Sequence, residues 1–216
     1  MGRLPATKVR ALGLGTMHAL GAHAVSLDLV DGEAWYAPGF LSTTEADRVL
    51  DALRHETPWR ADEVVIFGRA VPIPRLQAWY GNPEAIYTYS GLTLEPLPWT
   101  AELASLRDRV EAKSDGARFN SCLANLYRDG ADSNGWHADD EPELGNDPVV
   151  GSLSFGATRR FRMKHKERRD LTVDLDLEHG SYLLMRGSTQ HSWKHCLPKT
   201  KREVGPRVNL TFRLVV

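Results

Sequence analysis

Apolar residues follow two different periods along this chain. Between residues 42 and 57 they recur at helical spacing, with Ala46, Val49, Leu50 and Leu53 on one side of a 3.6-residue spiral. Ser42-Thr-Thr-Glu45 ahead of them reads as a capping box, in which a serine hydroxyl accepts from the backbone N–H three residues on. Pro58 stops this helix. A second helix is expected to start near Thr100, with Leu103, Leu106 and Val110 at the same spacing and Gly116 as its stop. From Phe119 onward the period drops to two. Short strands are expected at 119–128, 149–155, 159–164, 171–177, 181–186, 191–196 and 207–215, separated by Gly130, Gly156-Ala157, His179-Gly180, Gly187 and Gly205-Pro206. Helices first, then many closely spaced strands, predict an α+β chain that is mainly β. Its architecture would be a sandwich or barrel of the jelly-roll class with helices packed outside.

Composition narrows the class without naming a task. The chain is 42% hydrophobic and 25% charged, ordinary for a globular domain of 216 residues. No apolar run approaches the roughly 20 residues that cross a bilayer, so no membrane is expected. A formal net charge of −1 means that nucleic-acid binding would need a local basic surface. Residues 1–27 lack a continuous apolar stretch and read as a flexible tail, with 28–216 as one domain. Two cysteines, Cys122 and Cys196, offer no disulfide framework. A monomer in a reducing, cytoplasmic compartment is expected, nucleoid-associated in a bacterium or nuclear in a eukaryote.

His137-Ala-Asp139 puts an imidazole and a carboxylate on one side of an extended segment. Two histidines and one carboxylate occupy one face of an octahedron and leave three positions open, the arrangement of non-haem Fe(II) oxygenases. The third ligand could be His179, His191 or His195, and spacing does not choose. His191 and His195 bracket Trp193 and, in a strand, would face the same side. The last strand alternates Arg207, Asn209, Thr211 and Arg213 with Val208, Leu210 and Phe212, so one face is cationic and the other apolar. Two arginines beside a core need partners. A small dicarboxylate would serve both. Alternation alone favours, by a small margin, the plainer arrangement in which they reach solvent or structural carboxylates. Asn125 and Tyr127 share a strand face and suit carboxylate oxygens.

These residues sit in longer motifs. They include Pro74-Arg75-Leu-Gln-Ala-Trp-Tyr80-Gly81, Tyr87-Thr-Tyr89-Ser90-Gly91, Asn125-Leu-Tyr127-Arg128, Trp136-His137-Ala-Asp139-Asp140-Glu141, Ser152-Leu-Ser-Phe-Gly156, Trp193-Lys-His195-Cys-Leu-Pro198 and Arg207-Val-Asn-Leu-Thr-Phe-Arg213. From about Pro38 to the C-terminus the chain resembles the AlkB family of dealkylating dioxygenases, in the branch that repairs alkylated bases. The resemblance implies a double-stranded β-helix fold, with Fe(II), 2-oxoglutarate and O2 as cofactor and co-substrates. It makes His195 the third iron ligand. It places Arg207 and Tyr127 at the distal carboxylate of 2-oxoglutarate, with Asn125, Asn209 and Arg213 completing its site and Arg213 close to Asp139.

The implied activity is oxidative demethylation of bases of the 1-methyladenine and 3-methylcytosine type, releasing formaldehyde, succinate and CO2. The partner would be alkylated DNA, single- or double-stranded, with RNA as a further substrate. A related oxygenase acting on RNA or protein is the alternative. A base in a duplex must be flipped to reach the iron. Tyr89 matches a stacking aromatic and Asp140 an acid that meets the exocyclic amine of the lesion. Arg75, Tyr80, Tyr87 and Trp136 are expected around the base, within or beside a nucleotide-recognition lid at about 60–95. Val65-Ile66-Phe67-Gly68 resembles a wedge that parts the base stack, with a buried core strand as the other reading. Arg159, Arg160, Arg162, Lys164, Lys166, Arg168 and Arg169 form one basic run, with Arg160, Arg162 and Lys164 on one strand face. Lys199, Lys201 and Arg202 form a second cluster.

Overall fold

The computed structural model describes residues 24–66, 68–89 and 92–216. Two strands come first: β1 (Val25–Leu27) and β2 (Glu33–Ala37). Then follow α1 (Thr43–Glu56), β3 (Glu63–Ile66), β4 (Arg69–Pro72), β5 (Leu76–Gly81), β6 (Tyr87–Tyr89), β7 (Leu92–Leu94) and α2 (Ala101–Glu111). The remainder is β8 (Ser121–Tyr127), β9 (Asn134–His137), β10 (Val150–Gly156), β11 (Arg159–His165), β12 (Thr172–Leu177), β13 (Ser181–Arg186), a one-turn α3 (Thr189–Ser192), β14 (Trp193–Leu197) and β15 (Arg207–Arg213). The tail expected over 1–27 overlaps β1, which pairs with β2. Its first 23 residues lie outside the described ones.

Seven strands form a large sheet in the order β1-β2-β13-β10-β15-β8-β5, and four form a small one, β12-β11-β14-β9. The expected order of helices before strands is therefore corrected. Strands precede α1, and β5 lies between the helices yet edges the large sheet. β5 escaped alternation because apolar residues stand on both of its faces, with Gln77 beside Trp79 on one of them. Ala78 and Tyr80 join one core cluster, and Trp79 joins another. The segment 60–95, expected as a nucleotide-recognition lid, holds more than one element. It is this sheet strand with the β3–β4 hairpin before it and the β6–β7 hairpin after it.

Both helices start where their caps predict. Ser42 Oγ accepts from Glu45 N at 3.3 Å, and Thr100 Oγ1 accepts from Leu103 N at 3.2 Å. The capping box is only half made, because the Glu45 carboxylate turns to Arg109 of α2, 2.8 Å away. α2 ends before Ala112, and Gly116 turns the chain at φ +84° in the loop that follows. Val49 and Leu53 of α1 and Leu103, Leu106 and Val110 of α2 pack on the outer face of the large sheet with Leu153, Phe155, Leu210 and Phe212. Each such side chain contributes roughly 1.5–3 kcal/mol on burial.

The inner faces of the two sheets meet in a second cluster. Val150, Leu183 and Met185 of the large sheet touch Phe161, Met163, Leu175, Leu177 and Trp193 of the small one. This is the expected jelly-roll sandwich with helices outside. Apolar contacts fill one end of the space between the sheets. Polar side chains of β8, β15, β9 and β14 line the other.

Candidate active site

β9 and β14 run antiparallel with His137 directly opposite His195. Cross-strand partners stand close enough for their side chains to meet, and the two imidazoles are 4.2 Å apart. Asp139 follows β9 by two residues and points to the same side. Its carboxylate oxygens lie 4.0 Å from each His Nε2. Suitable ligand atoms of His137, Asp139 and His195 all fall within 4.8 Å of one another.

The choice among three histidines is made by the backbone. A strand over 191–196 is corrected: residues 189–192 make the single turn α3, so the period of two breaks before Trp193. His191 turns out to half-exposed solvent beside Asp147 at 3.4 Å. His179 accepts from Gly156 N at 2.8 Å and stands near Asp47. His195 alone of the three reaches His137 and Asp139.

The donors are prepared for a cation. His137 Nδ1–H donates to Gly135 O at 2.8 Å, which leaves the Nε2 lone pair facing Asp139. Burial, aided by the neighbouring His137, pulls the His195 imidazolium down to about 3, so the ring is neutral at pH 7. Burial alone would raise the Asp139 carboxyl. The Arg213 guanidinium, donating at 2.9 Å, overcomes it and holds the carboxyl at about 2. Gln190 of α3, fully buried, accepts from Asp139 N at 3.0 Å and fixes the segment's height.

Beside this triad lies an anion site. Arg207 and Arg213 are 2% and 5% exposed, which rules out the solvent-facing arrangement. Arg213 has Asp139, but no acid among the described residues pairs with Arg207. Its Nη2 donates to Ser154 Oγ at 2.9 Å, its plane lies 5.2 Å from the Tyr127 ring centre, and its Nε has no partner. Burial pulls this guanidinium down to about 10, still cationic at neutral pH. Arg75 joins them, donating through Nε to Asn125 Oδ1 at 2.6 Å. Asn209 is held by Ser152 Oγ and Leu153 O, with Thr211 on its Oδ1. One cavity is thus lined by three guanidiniums, of Arg75, Arg207 and Arg213, against two carboxylates, of Asp139 and Glu141. A dianion fits what is missing, and a divalent cation fits the triad. The residues present therefore suit Fe(II) with 2-oxoglutarate.

Glu141 was not foreseen. The alternation that pairs His137 with Asp139 continues to it, and that is the signal that could have found it. Its Oε2 is buried without a partner, and burial raises its carboxyl, with the charge of Asp139 adding to the effect. Tyr87 lines the same cavity, stacked on Trp79 at 5.2 Å and neighbouring Glu141. Asp140, expected at the lesion, faces the other way and accepts from Lys166 Nζ at 2.7 Å. Tyr80, also expected near the base, is buried in the core cluster on the helix side of β5. Trp136 is 40% exposed, with Lys164 Nζ 4.3 Å from its ring centre.

Phe67 lies outside the described residues, as does the side chain of Tyr89. On either side of Phe67, Glu63 of β3 and Arg69–Pro72 of β4 are exposed. The basic run divides. Arg159 is buried and donates to the carbonyls of Asp129, Asp132 and Pro198. Arg160 and Arg162 are exposed, but each donates to an acid of β12, Asp176 and Asp174 respectively, at 2.8 Å. Lys199 and Arg202 border the same groove.

The sequence profile of the 2OG-Fe(II) oxygenase superfamily matches residues 33–213. The mouse protein "Alpha-ketoglutarate-dependent dioxygenase alkB homolog 3" is 47% identical over 187 residues, 82% of this chain. The chain spans 64% of that relative's length. Mouse "DNA oxidative demethylase ALKBH2" is 43% identical over 182 residues, covering 80% of this chain and 76% of that one. The solved structure titled "The structure of OsALKBH1" superposes with a TM-score of 0.58 at 19% identity, covering 88% of this chain and 99% of that one. That likeness bears on the fold.

Proposed function

Because the chain belongs to the 2OG-Fe(II) oxygenase superfamily, in its AlkB branch, we propose that it oxidatively demethylates N-alkylated bases in DNA. The observation that carries this reading is the cavity itself. A two-histidine, one-carboxylate triad shares it with a buried arginine that meets no acid among the described residues and with Glu141, whose Oε2 has no partner. His137, Asp139 and His195 would hold the iron. Arg207 and Tyr127 would take the distal carboxylate of 2-oxoglutarate, and Asn125 and Arg213 flank the end nearer the metal. Bound iron supplies the oxidation of an N-methyl group with O2 as 2-oxoglutarate goes to succinate and CO2, and the methyl leaves as formaldehyde.

The chain's own residues orient the reactants. Gln190 and Arg213 hold Asp139 in place, and the sheets exclude water from the co-substrate. The flipped base enters between His137 and Tyr87. Glu141 accepts from its exocyclic amine and favours a cationic ring. The exposed β3–β4 hairpin is the element that meets the duplex. Exposed cations at Arg160, Arg162, Lys199 and Arg202 contact phosphates, with Asp174 and Asp176 limiting that attraction.

The test is a panel of methylated single- and double-stranded DNA and RNA oligonucleotides, assayed by mass spectrometry with iron and 2-oxoglutarate. Methyl loss from 1-methyladenine or 3-methylcytosine in DNA, abolished in His137→Ala, is expected. Full turnover by that variant, or turnover of RNA alone, would overturn the reading.

A further inference from the structure

The segment 137–141 alternates about the cavity wall. His137, Asp139 and Glu141 line the cavity, and Asp140 faces outward. What holds Asp140 outward is Lys166, from the turn joining β11 to β12. Its ammonium donates to Asp140 Oδ2 at 2.7 Å, and its side chain is 24% exposed against 43% for Asp140. The lysine is the better fixed of the two. Its backbone N–H donates to Ser192 O at 2.7 Å. The preceding His165, 6% exposed, accepts at Nδ1 from Glu167 N and Arg168 N, at 3.2 and 3.0 Å. The turn is thus pinned on both sides of Lys166.

β9 ends at His137 and the chain bends at Asp139, but Glu141 is extended, so the adjacent Asp140 and Glu141 point to opposite sides and turning one inward turns the other outward. A cationic base in the cavity attracts both carboxylates of this pair. We propose that Lys166 is a positioning residue for base discrimination: by holding Asp140 outward it keeps Glu141 in the cavity. The inference rests on the reading that Glu141 accepts from the damaged base. Lys166 does not line the cavity and acts through Asp140. Lys164 is engaged over the Trp136 ring, and Arg213 is engaged on Asp139, so neither substitutes for it.

The experiment compares kcat/KM for 3-methylcytosine, a cation, with that for 3-methylthymine, which is neutral, in one oligonucleotide sequence. The variants are Lys166→Met, Lys166→Arg, Asp140→Asn and the Met/Asn double. Lys166→Met should lower the cation-to-neutral ratio about fivefold, the scale of a partly exposed ion pair. Lys166→Arg should restore the ratio. Asp140→Asn should lower it without adding to Lys166→Met. Iron affinity and the absorption band of the iron–2-oxoglutarate complex should stay as in the wild type. An unchanged ratio in Lys166→Met overturns the inference. So does an equal loss on both bases, which would make Lys166 a phosphate contact, or a loss of iron affinity, which would make it a support of the metal segment. A wild type with no preference for the cation would overturn the Glu141 reading and this inference together. A preference that survives Lys166→Met overturns the inference alone.

Discussion

Arg207 carries a positive charge in a place where charge is costly. It is 2% exposed, touches Ser154 and Tyr127, and has no carboxylate against it among the described residues. A buried cation without a counter-ion destabilises the molecule that holds it. Its retention therefore argues for a ligand, and the two roles separate by mutation. Arg207→Met keeps the length of the side chain and removes the charge. The KM for 2-oxoglutarate should rise at least roughly tenfold, the value of a lost charge-assisted hydrogen bond. Stability of the ligand-free protein should hold or improve. Steady-state kinetics with a urea melt on the same variant checks both halves. An unchanged KM would leave Arg207 as a structural group. A fall of several kcal/mol in stability would mean that Ser154 and Tyr127 compensate the charge fully.

At the scale of elements, Gly156 shows how tightly the anion site is built. It ends β10 opposite Arg207 with φ +86°, and a Cβ there would stand 2.3 Å from Pro206 O. Gly156→Ala must strain the backbone and push the Pro206–Arg207 junction. A loss of about 2–3 kcal/mol is expected by chemical denaturation, with weaker 2-oxoglutarate binding. A midpoint within error of wild type would show that the junction yields. The legibility of elements followed their chemistry. β15 was readable because its faces differ, cationic against apolar, although all seven positions are buried. β5 was not, because apolar residues stand on both faces. The metal pair His137 and Asp139 followed from a period of two, and Glu141 lay two further residues along. His195 did not follow from spacing. α3 interrupts the period just before Trp193, and no local pattern announces a single turn. The half-made capping box has the same origin, since Glu45 met Arg109 from 64 residues away.

At the scale of the whole molecule, the two sheets do not meet on apolar contacts alone. At one end apolar packing of Phe161, Met163, Leu183 and Met185 joins them, while at the other the triad of the small sheet faces the arginines of the large one. Iron with 2-oxoglutarate would bridge that polar end, the metal held by β9 and β14 and the diacid by β8 and β15. Ligands that bind only the folded state stabilise it by about 2.7 kcal/mol at a hundredfold excess over Kd. For a domain of this size each kcal/mol moves Tm by about 2–4 °C. Fe(II) added without oxygen should therefore raise Tm, and 2-oxoglutarate should raise it again, by about 5–10 °C near that saturation. Arg207→Met should keep the iron increment and lose much of the second. His137→Ala should lose both, because the diacid needs the metal to complete its site. Differential scanning calorimetry under nitrogen separates these cases. Equal increments in all three proteins would place the stabilising ligands elsewhere and dissolve the bridge between the sheets.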